Sequence, residues 1–540
     1  MRIFRILAAV VLGGLVQHAR SDPIESRVSV NGGVFQGIPR TAAGVLEFLG
    51  IPFAAPPVGS LRWKPPQPLL SLNGAQQNAT AFGLSCYSAV LDPDLADPAE
   101  QGEDCLTVNI WTTAKDTTEK KAVMVWIYGG GFEFGASNRP LYNGTKLALD
   151  DVVLVSFNYR LGVLGFLALS ELDDEGSGST NFGLQDQLAA LRWVRDNISQ
   201  FGGDPDNVTI FGESAGGHSV GLLLASPLST GLFHKGILES GAYWESDHGS
   251  LTTFSEARQR GLALQQKLNA SSVAELRSLP AEEVNNAALW DLSTDPGSTV
   301  FAPSIDDYVV PKAPSVVFDN GDEQPVPILA GFNAREEDFF LAHSLPHQTS
   351  EDYISSAGTF FGNRTDEALQ VYPGSTYIQA NDSANALAGD LVIRQQTWEA
   401  LDRHVLVGGH KGYGYYFTYS SPYSPLAMHT AEMNYVFGNM GPNESFLYTP
   451  PLSPADSGDM KMSETIRSYW TNFAKTGDPN DPNGSLPYWP SYTGYGNCFV
   501  ELGNLIHAIN TPDIDRFRFI RSLRTNSILP LGWREGVMDN

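Results

Sequence analysis

A run of ten residues, Val208-Thr-Ile-Phe-Gly-Glu-Ser-Ala-Gly-Gly217, constrains this chain more than any other. Four β-favouring residues lead into Gly212-Glu213-Ser214-Ala215-Gly216, a G-x-S-x-G pattern followed by small residues that can open a helix. The pattern has a steric cause. A serine on a sharp strand-to-helix turn is forced into strained backbone geometry, and side chains two residues before and after it would collide across the turn. Ser214 would then project its hydroxyl beside a helix N-terminus that favours negative charge. Read alone, the same residues also describe an ordinary Gly-rich turn, so the surroundings carry the weight.

Those surroundings read as α/β. Apolar runs of the buried type cover 122–128 and 152–157. Between the second run and the serine strand, 184–199 has helical spacing. Leu184, Leu188, Leu191, Val194 and Ile198 share one stripe, with Asp186, Gln187, Arg192 and Asp196 mostly off it. A Gly202-Gly203-Asp204-Pro205 stop follows. Strand, helix and strand thus recur, which predicts a mostly parallel sheet covered on both faces. Further strands are expected at 235–240, 326–330 and 414–418. Helices are expected at 254–268 and 272–279, inserted above the sheet, and at 463–475. Residues 28–53 read as a small antiparallel meander, and the proline-rich 52–68 as an ordered surface wrap. No repeat, linker or composition break follows residue 22, so one large domain over 22–540 is expected.

The chain has 540 residues with a net charge of −26, which argues against nucleic acid or an anionic membrane as partner. Residues 1–21 read as a secretory signal, with Arg2 and Arg5 before an apolar run at 6–16 too short to span a bilayer. No later stretch reads as a transmembrane helix and the polar tail at 532–540 carries no anchor signal, so a secreted, extracellular protein is expected. Nine Asn-x-Ser/Thr sites fit export: Asn78, Asn143, Asn197, Asn207, Asn269, Asn363, Asn381, Asn443 and Asn483. Asn197 and Asn207 flank the serine strand, where crowding opposes modification. Of three cysteines, Cys86 and Cys105 are near neighbours and we pair them, leaving Cys498 as a buried free thiol.

A serine hydroxyl is a poor nucleophile without a base in hydrogen-bond reach and a third group to orient that base. The run at 122–128 empties into Gly129-Gly130-Gly131-Phe132, which lets the backbone approach a ligand and aim N–H groups at it. A phosphate cradle is the rival reading, but no Gly-Lys-Ser/Thr follows; a plain loop is the third. Nine histidines follow Ser214. His218 lies one helical turn on, a weak base candidate, and composition does not choose among the others.

Ordered motifs choose further. They are Phe48-Leu-Gly-Ile-Pro-Phe-Ala54 through Leu61-Arg62, Glu103-Asp-Cys-Leu106 with Asn109, Gly129 to Phe132, and Asn158-Tyr-Arg-Leu-Gly162. Gly183-Leu-Gln-Asp-Gln187, Phe201-Gly-Gly-Asp-Pro205, Phe211 to Gly216, and Tyr469-Trp470 through Gly477-Asp-Pro-Asn480 complete the set. Together they span nearly the whole mature chain, which resembles the type-B carboxylesterases of the α/β-hydrolase fold. That family includes cholinesterases and secreted microbial enzymes, fungal ones among them.

The resemblance implies a triad of Ser214, Glu336 and His429. The acid follows by five residues the glycine ending Pro327-Ile-Leu-Ala-Gly331; Glu337 stands where relatives usually have glycine and is the competing acid. His429-Thr-Ala-Glu432 precedes Tyr435-Val-Phe-Gly438, as the family histidine precedes its motif. An oxyanion hole of Gly130, Gly131 and Ala215 amides is implied, with Tyr128 where relatives often have histidine. Arg62 with Glu103 and Arg160 with Asp186 resemble structural ion pairs. Ser240 and Trp244 lie near enough in the pattern to serve the triad or acyl pocket, or to be ordinary packing. The expectation is a serine carboxylic-ester hydrolase needing no metal or organic cofactor, acting on a small-molecule ester. The Cys86–Cys105 loop lacks tryptophan for a quaternary-ammonium platform and is short and polar for a lipase lid, which favours soluble esters over glycerides. A serine-less adhesion protein of the same fold is the reading from another class, and all three triad residues argue against it.

Overall fold

The computed structural model describes residues 23–30, 32–88, 100–175, 180–242, 251–288, 301–338, 344–441 and 451–525. The leader, Trp244, Asn443 and the C-terminal tail lie outside these residues. Ten strands form one sheet. In chain order they are β1 (Leu46–Pro52), β2 (Thr107–Thr112), β3 (Lys121–Ile127), β4 (Val153–Phe157), β5 (Gly203–Glu213), β6 (Lys235–Glu239), β7 (Ile328–Asn333), β8 (Gly412–Phe417), β9 (Asn497–Leu502) and β10 (His507–Asn510). Across the sheet they run β1-β2-β4-β3-β5-β6-β7-β8-β9-β10. From β4 through β9 every neighbouring pair is parallel. Only β1, β2 and β10 run against their neighbours. This is an α/β-hydrolase sheet. Strands β4, β6 and β7 are buried at every position, as a sheet with helices on both faces requires. Among the described residues no helix is long and apolar enough to cross a membrane.

Three local expectations are corrected. The meander at 28–53 divides: Arg27–Val30 and Gly33–Gly37 pair as a hairpin, while β1 leaves them for the edge of the main sheet. The reason is apolar content, since Leu46, Phe48, Leu49 and Ile51 all bury there, and Phe48 meets Phe201 with ring centroids 5.0 Å apart. The serine strand starts at Gly203, five residues earlier than its β-favouring residues indicate, with a register irregularity between Gly203 and Val208. In the helix Phe182–Asn197, Asp186 and Gln187 are buried and not off the packed face. Burial is tolerable because each is partnered: Asp186 takes two contacts of 2.7 and 2.8 Å from the Arg160 guanidinium, and Gln187 donates to Ser219 Oγ at 2.9 Å.

Between β7 and β8 the chain inserts helices Ser350–Phe361, Thr365–Val371 and Tyr377–Gly389, a π-helical turn Asp390–Arg394, and Gln395–Leu406. With Ile514–Thr525 they enclose a second, smaller apolar core that includes Tyr353, Phe361, Leu387, Leu391 and Ile520. Sequence alone assigns no helix to this insertion, only the sequons Asn363 and Asn381.

Candidate active site

Ser214 sits between β5 and the helix Ala215–Ala225 with φ 55° and ψ −123°, backbone angles that cost a non-glycine residue strain. Two hydrogen bonds hold it there: its N–H donates to Glu239 O at 2.9 Å, and His218 N–H donates to its carbonyl at 2.8 Å. The flanking glycines have no room for side chains. A Cβ on Gly212 would lie 2.5 Å from Gly216 C, and one on Gly216 would lie 1.9 Å from Ile127 O. The collision across the turn therefore holds at Gly212, while at Gly216 the obstacle is the neighbouring strand β3.

The Gly129–Gly131 loop leaves β3 beside this turn. A Cβ on Gly129 would stand 3.1 Å from Ser214 Cβ. Gly130 and Gly131 take φ of 110° and 64°, and Gly130 O accepts from the amides of Glu133 and Phe134, which folds the loop back on itself. Tyr128 supports the loop from behind. Its ring stacks on Tyr159 at 4.5 Å, Tyr159 Oη–H donates to Tyr128 O at 2.8 Å, and Tyr128 Oη–H donates to Tyr159 O at 3.2 Å.

His429 reaches the turn from the loop before the helix Met433–Phe437. Its Nδ1 lies 2.6 Å from Glu336 Oε2, and its Nε2 lies 3.2 Å from Oε1 of Glu213, the residue preceding Ser214. Thr430 beside it holds φ 77°, an unusual conformation for a β-branched residue. The other oxygen of Glu336 accepts from Ser240 Oγ and from Asn333 N–H, both at 2.7 Å. Glu337 turns the other way, to Arg394 Nη1 at 3.0 Å. Of the two candidate acids, only Glu336 is brought to the imidazole. His218, the weak base candidate, is buried, and desolvation followed by the nearby His429 holds its pKa down at about 3.

A family model described as "Carboxylesterase family" matches residues 25–511. The chain belongs to that family. Curated relatives include the fumonisin B1 esterase of Sphingopyxis macrogoltabida, 35% identical over 495 residues, covering 90% of this chain and 86% of that one. The para-nitrobenzyl esterase of Bacillus subtilis (strain 168) is 36% identical over 495 residues, covering 88% and 95%. Both are bacterial, and neither speaks to the fungal resemblance. Among solved structures, a thermophilic PNB esterase superposes with a TM-score of 0.78 and a PNB esterase with 0.75. Each is 33% identical and covers 92% of this chain and 99% of its own. The protein is a carboxylic ester hydrolase.

The carboxylesterase buries three more carboxyl groups around Glu336 and His429, to which sequence reasoning gave no role. Two of them, Glu213 and Glu432, stood inside quoted motifs; an acidic residue beside the serine and another three after the histidine were the available signal. Glu432 accepts from Asn333 Nδ2, and its Oε1 lies 3.4 Å from Ser240 Oγ. Glu239 accepts from Trp470 Nε1 at 2.7 Å. Burial, then Glu432, raises Glu239 to about 8; burial, then Glu336, raises Glu432 to about 7; burial and the other three glutamates raise Glu213 strongly. An acid whose folded pKa lies above its unfolded one stabilises the fold below the unfolded pKa, and that contribution disappears as pH rises through the folded pKa. From the ordinary carboxyl value of 4.5, the loss falls between pH 4.5 and about 8. The melting temperature is therefore expected to decline across that window. Glu239→Gln, which keeps an acceptor for Trp470, is expected to shallow the decline; equal slopes in a thermal-shift series at stepped pH would rule this out.

The remaining sequence candidates frame the carboxylesterase site. Cys86 and Cys105 form a disulfide with Cα atoms 5.1 Å apart, and closing a loop of that length stabilises by about 3 kcal/mol. Cys498 is free and buried. Arg62 grips Glu103 through contacts of 2.6 and 2.9 Å and donates to Leu279 O at 2.9 Å, tying the disulfide loop to the end of the helix Val273–Ser278. Of the sequons, Asn78, Asn269, Asn363 and Asn483 are exposed, whereas Asn143, Asn197, Asn207 and Asn381 are half-buried. Asn207 is engaged on both sides: Lys235 Nζ donates to its Oδ1, and its Nδ2 donates to Lys475 O at 3.3 Å. Asn197 Nδ2 donates to Trp193 O at 2.9 Å.

Proposed function

We propose that Ser214, His429 and Glu336 carry the hydrolysis of a soluble carboxylic ester through an acyl-enzyme, and that the enzyme is exported. The observation that carries the triad is the imidazole held on Nδ1 by Glu336, with its Nε2 edge facing the turn that bears Ser214. In the first half-reaction Ser214 Oγ bonds to the carbonyl carbon while its proton passes to His429 Nε2. The charge that develops on the carbonyl oxygen meets the amides of Gly130, Gly131 and Ala215, each such donor typically contributing about 3 kcal/mol. The C–O bond to the alcohol then breaks, and His429 returns the proton to the leaving oxygen. In the second half, water gives a proton to His429 as its oxygen attacks the acyl carbon; the acid leaves and Ser214 regains its proton. Glu336 fixes the imidazole and stabilises its charged form.

A soluble substrate is supported by the short polar disulfide loop and by relatives named for fumonisin B1 and para-nitrobenzyl esters. Export is supported by the leader-like 1–21 and by the four exposed sequons, which are the proposed glycan sites. An ester panel of increasing acyl length tests the substrate reading. Turnover is expected to peak at short acyl chains in solution; a jump in rate at an emulsion interface would mark a lipase instead.

A further inference from the structure

Arg394 is buried to 2% exposure, yet its guanidinium contacts no part of the catalytic triad. It closes on the turn that presents Glu336 from both sides. Nη1 donates to Ala334 O at 2.8 Å, two residues before the acid, and pairs with Glu337 at 3.0 Å, one residue after it. Its remaining contacts anchor it to the helix behind: Nε meets Asp390 Oδ1 at 2.6 Å and Nη2 donates to Ala386 O at 3.0 Å. The helix is brought this close by Gly389, where a Cβ would lie 2.8 Å from Glu337 N. Arg394 ends the π-helical turn, a form rare in helices and frequent at functional sites.

The other side of the turn is equally tied. Arg335 N–H donates to Ala427 O at 2.9 Å, next to the segment carrying His429. Motion of the turn would therefore alter the 2.6 Å contact between Glu336 and His429. A buried ion pair is weak as a stabiliser, because desolvation offsets most of the attraction, but it fixes geometry well. Asp390 does not depend on Arg394 for compensation, since Arg516 reaches its Oδ2 at 2.9 Å and Tyr372 donates to it at 2.7 Å.

We propose that Arg394 is a positioning residue for catalysis: together with Glu337 it locks the Asn333–Asp338 turn so that the Glu336 carboxylate stays on His429 Nδ1. The inference rests on Glu336 being the triad acid. The titratable groups facing His429 are Glu336, Glu213, Glu432 and His218; those around the clamp are Glu337, Asp338, Asp390, Asp513, Tyr416 and Arg516.

The test compares Arg394→Met, Arg394→Lys, Glu337→Ala and Glu336→Gln on a short-chain p-nitrophenyl ester, with active sites counted by organophosphate titration. Arg394→Met is expected to lower kcat about 10- to 100-fold with KM within about twofold. A displaced Glu336 stabilises the imidazolium less, so the acid limb of the kcat/KM profile moves to lower pH. Arg394→Lys restores part of both, and Glu337→Ala shows a several-fold version of the same pair of changes. If Arg394→Met does not fold, Glu337→Ala decides alone. Folded variants with unaltered kcat and acid limb, beside a Glu336→Gln enzyme that has lost its turnover, overturn the clamp and leave the triad standing. A fully active Glu336→Gln enzyme overturns the triad assignment and the clamp with it.

Discussion

Ser214→Ala is expected to lower kcat by about a million-fold while leaving the melting temperature within a few degrees of the parent. The effect is large because, on the proposed mechanism, the acyl-enzyme has no second route: the hydroxyl is both the attacking atom and the proton source for His429. The small structural cost follows from where Ser214 is held. Its anchoring bonds run through its backbone, from N–H to Glu239 O and from its carbonyl to His218 N–H, and alanine keeps both. The strained φ of 55° is retained with either residue. Intact-mass measurement after organophosphate treatment checks the assignment. One adduct on the parent and none on Ser214→Ala is the expected pair of results. An unlabelled, inactive parent would instead favour a binding protein that has kept the residues without the chemistry.

Gly216→Ala is the second large effect, and it falls on stability. The new methyl would stand 1.9 Å from Ile127 O and 2.9 Å from Ile127 C, both backbone atoms of the central strand β3. Neither can rotate away, so the helix Ala215–Ala225 must lift from the sheet or the turn must open. A destabilisation of about 3 kcal/mol or more is expected, read as loss of soluble yield or a lowered melting temperature. Gly358→Ala is the control. It lies in the helix Ser350–Phe361 with nothing within 4 Å of its missing Cβ, and there alanine is expected to stabilise by about 0.5–1 kcal/mol. Equal behaviour of the two variants would show that crowding at the serine turn is not what selects glycine.

The parts legible in the sequence were those whose physics is local. Gly212 and Gly216 announce a collision that only glycine avoids, and continuous apolar runs such as Val153–Phe157 announce strands covered on both faces. The meeting of Glu336 with His429 was legible only through the family resemblance, because nothing within a few residues of either specifies that they meet across 93 positions of chain. Long-range partnership also explains the failures. Helical spacing alone puts Asp186 off the apolar stripe, and only the ion pair with Arg160 that the family resemblance implies gives it a reason to be buried. Leu46–Pro52 looked like part of a local meander until the edge of the large sheet proved the better place for its apolar side chains. The carboxyl groups of Glu213, Glu239 and Glu432 converge from three separate elements, so no window of sequence displays them together.

The insertion between β7 and β8 has a thermal consequence. The proposed triad acid sits on a turn tied on one side to Ala427 and held on the other by Arg394, which rises from the helical layer beside the second apolar core. Loosening of that layer on heating would let the acid drift while the sheet kept its order. Turnover and bulk structure would then fail at different temperatures, the enzyme falling silent while still looking folded to circular dichroism.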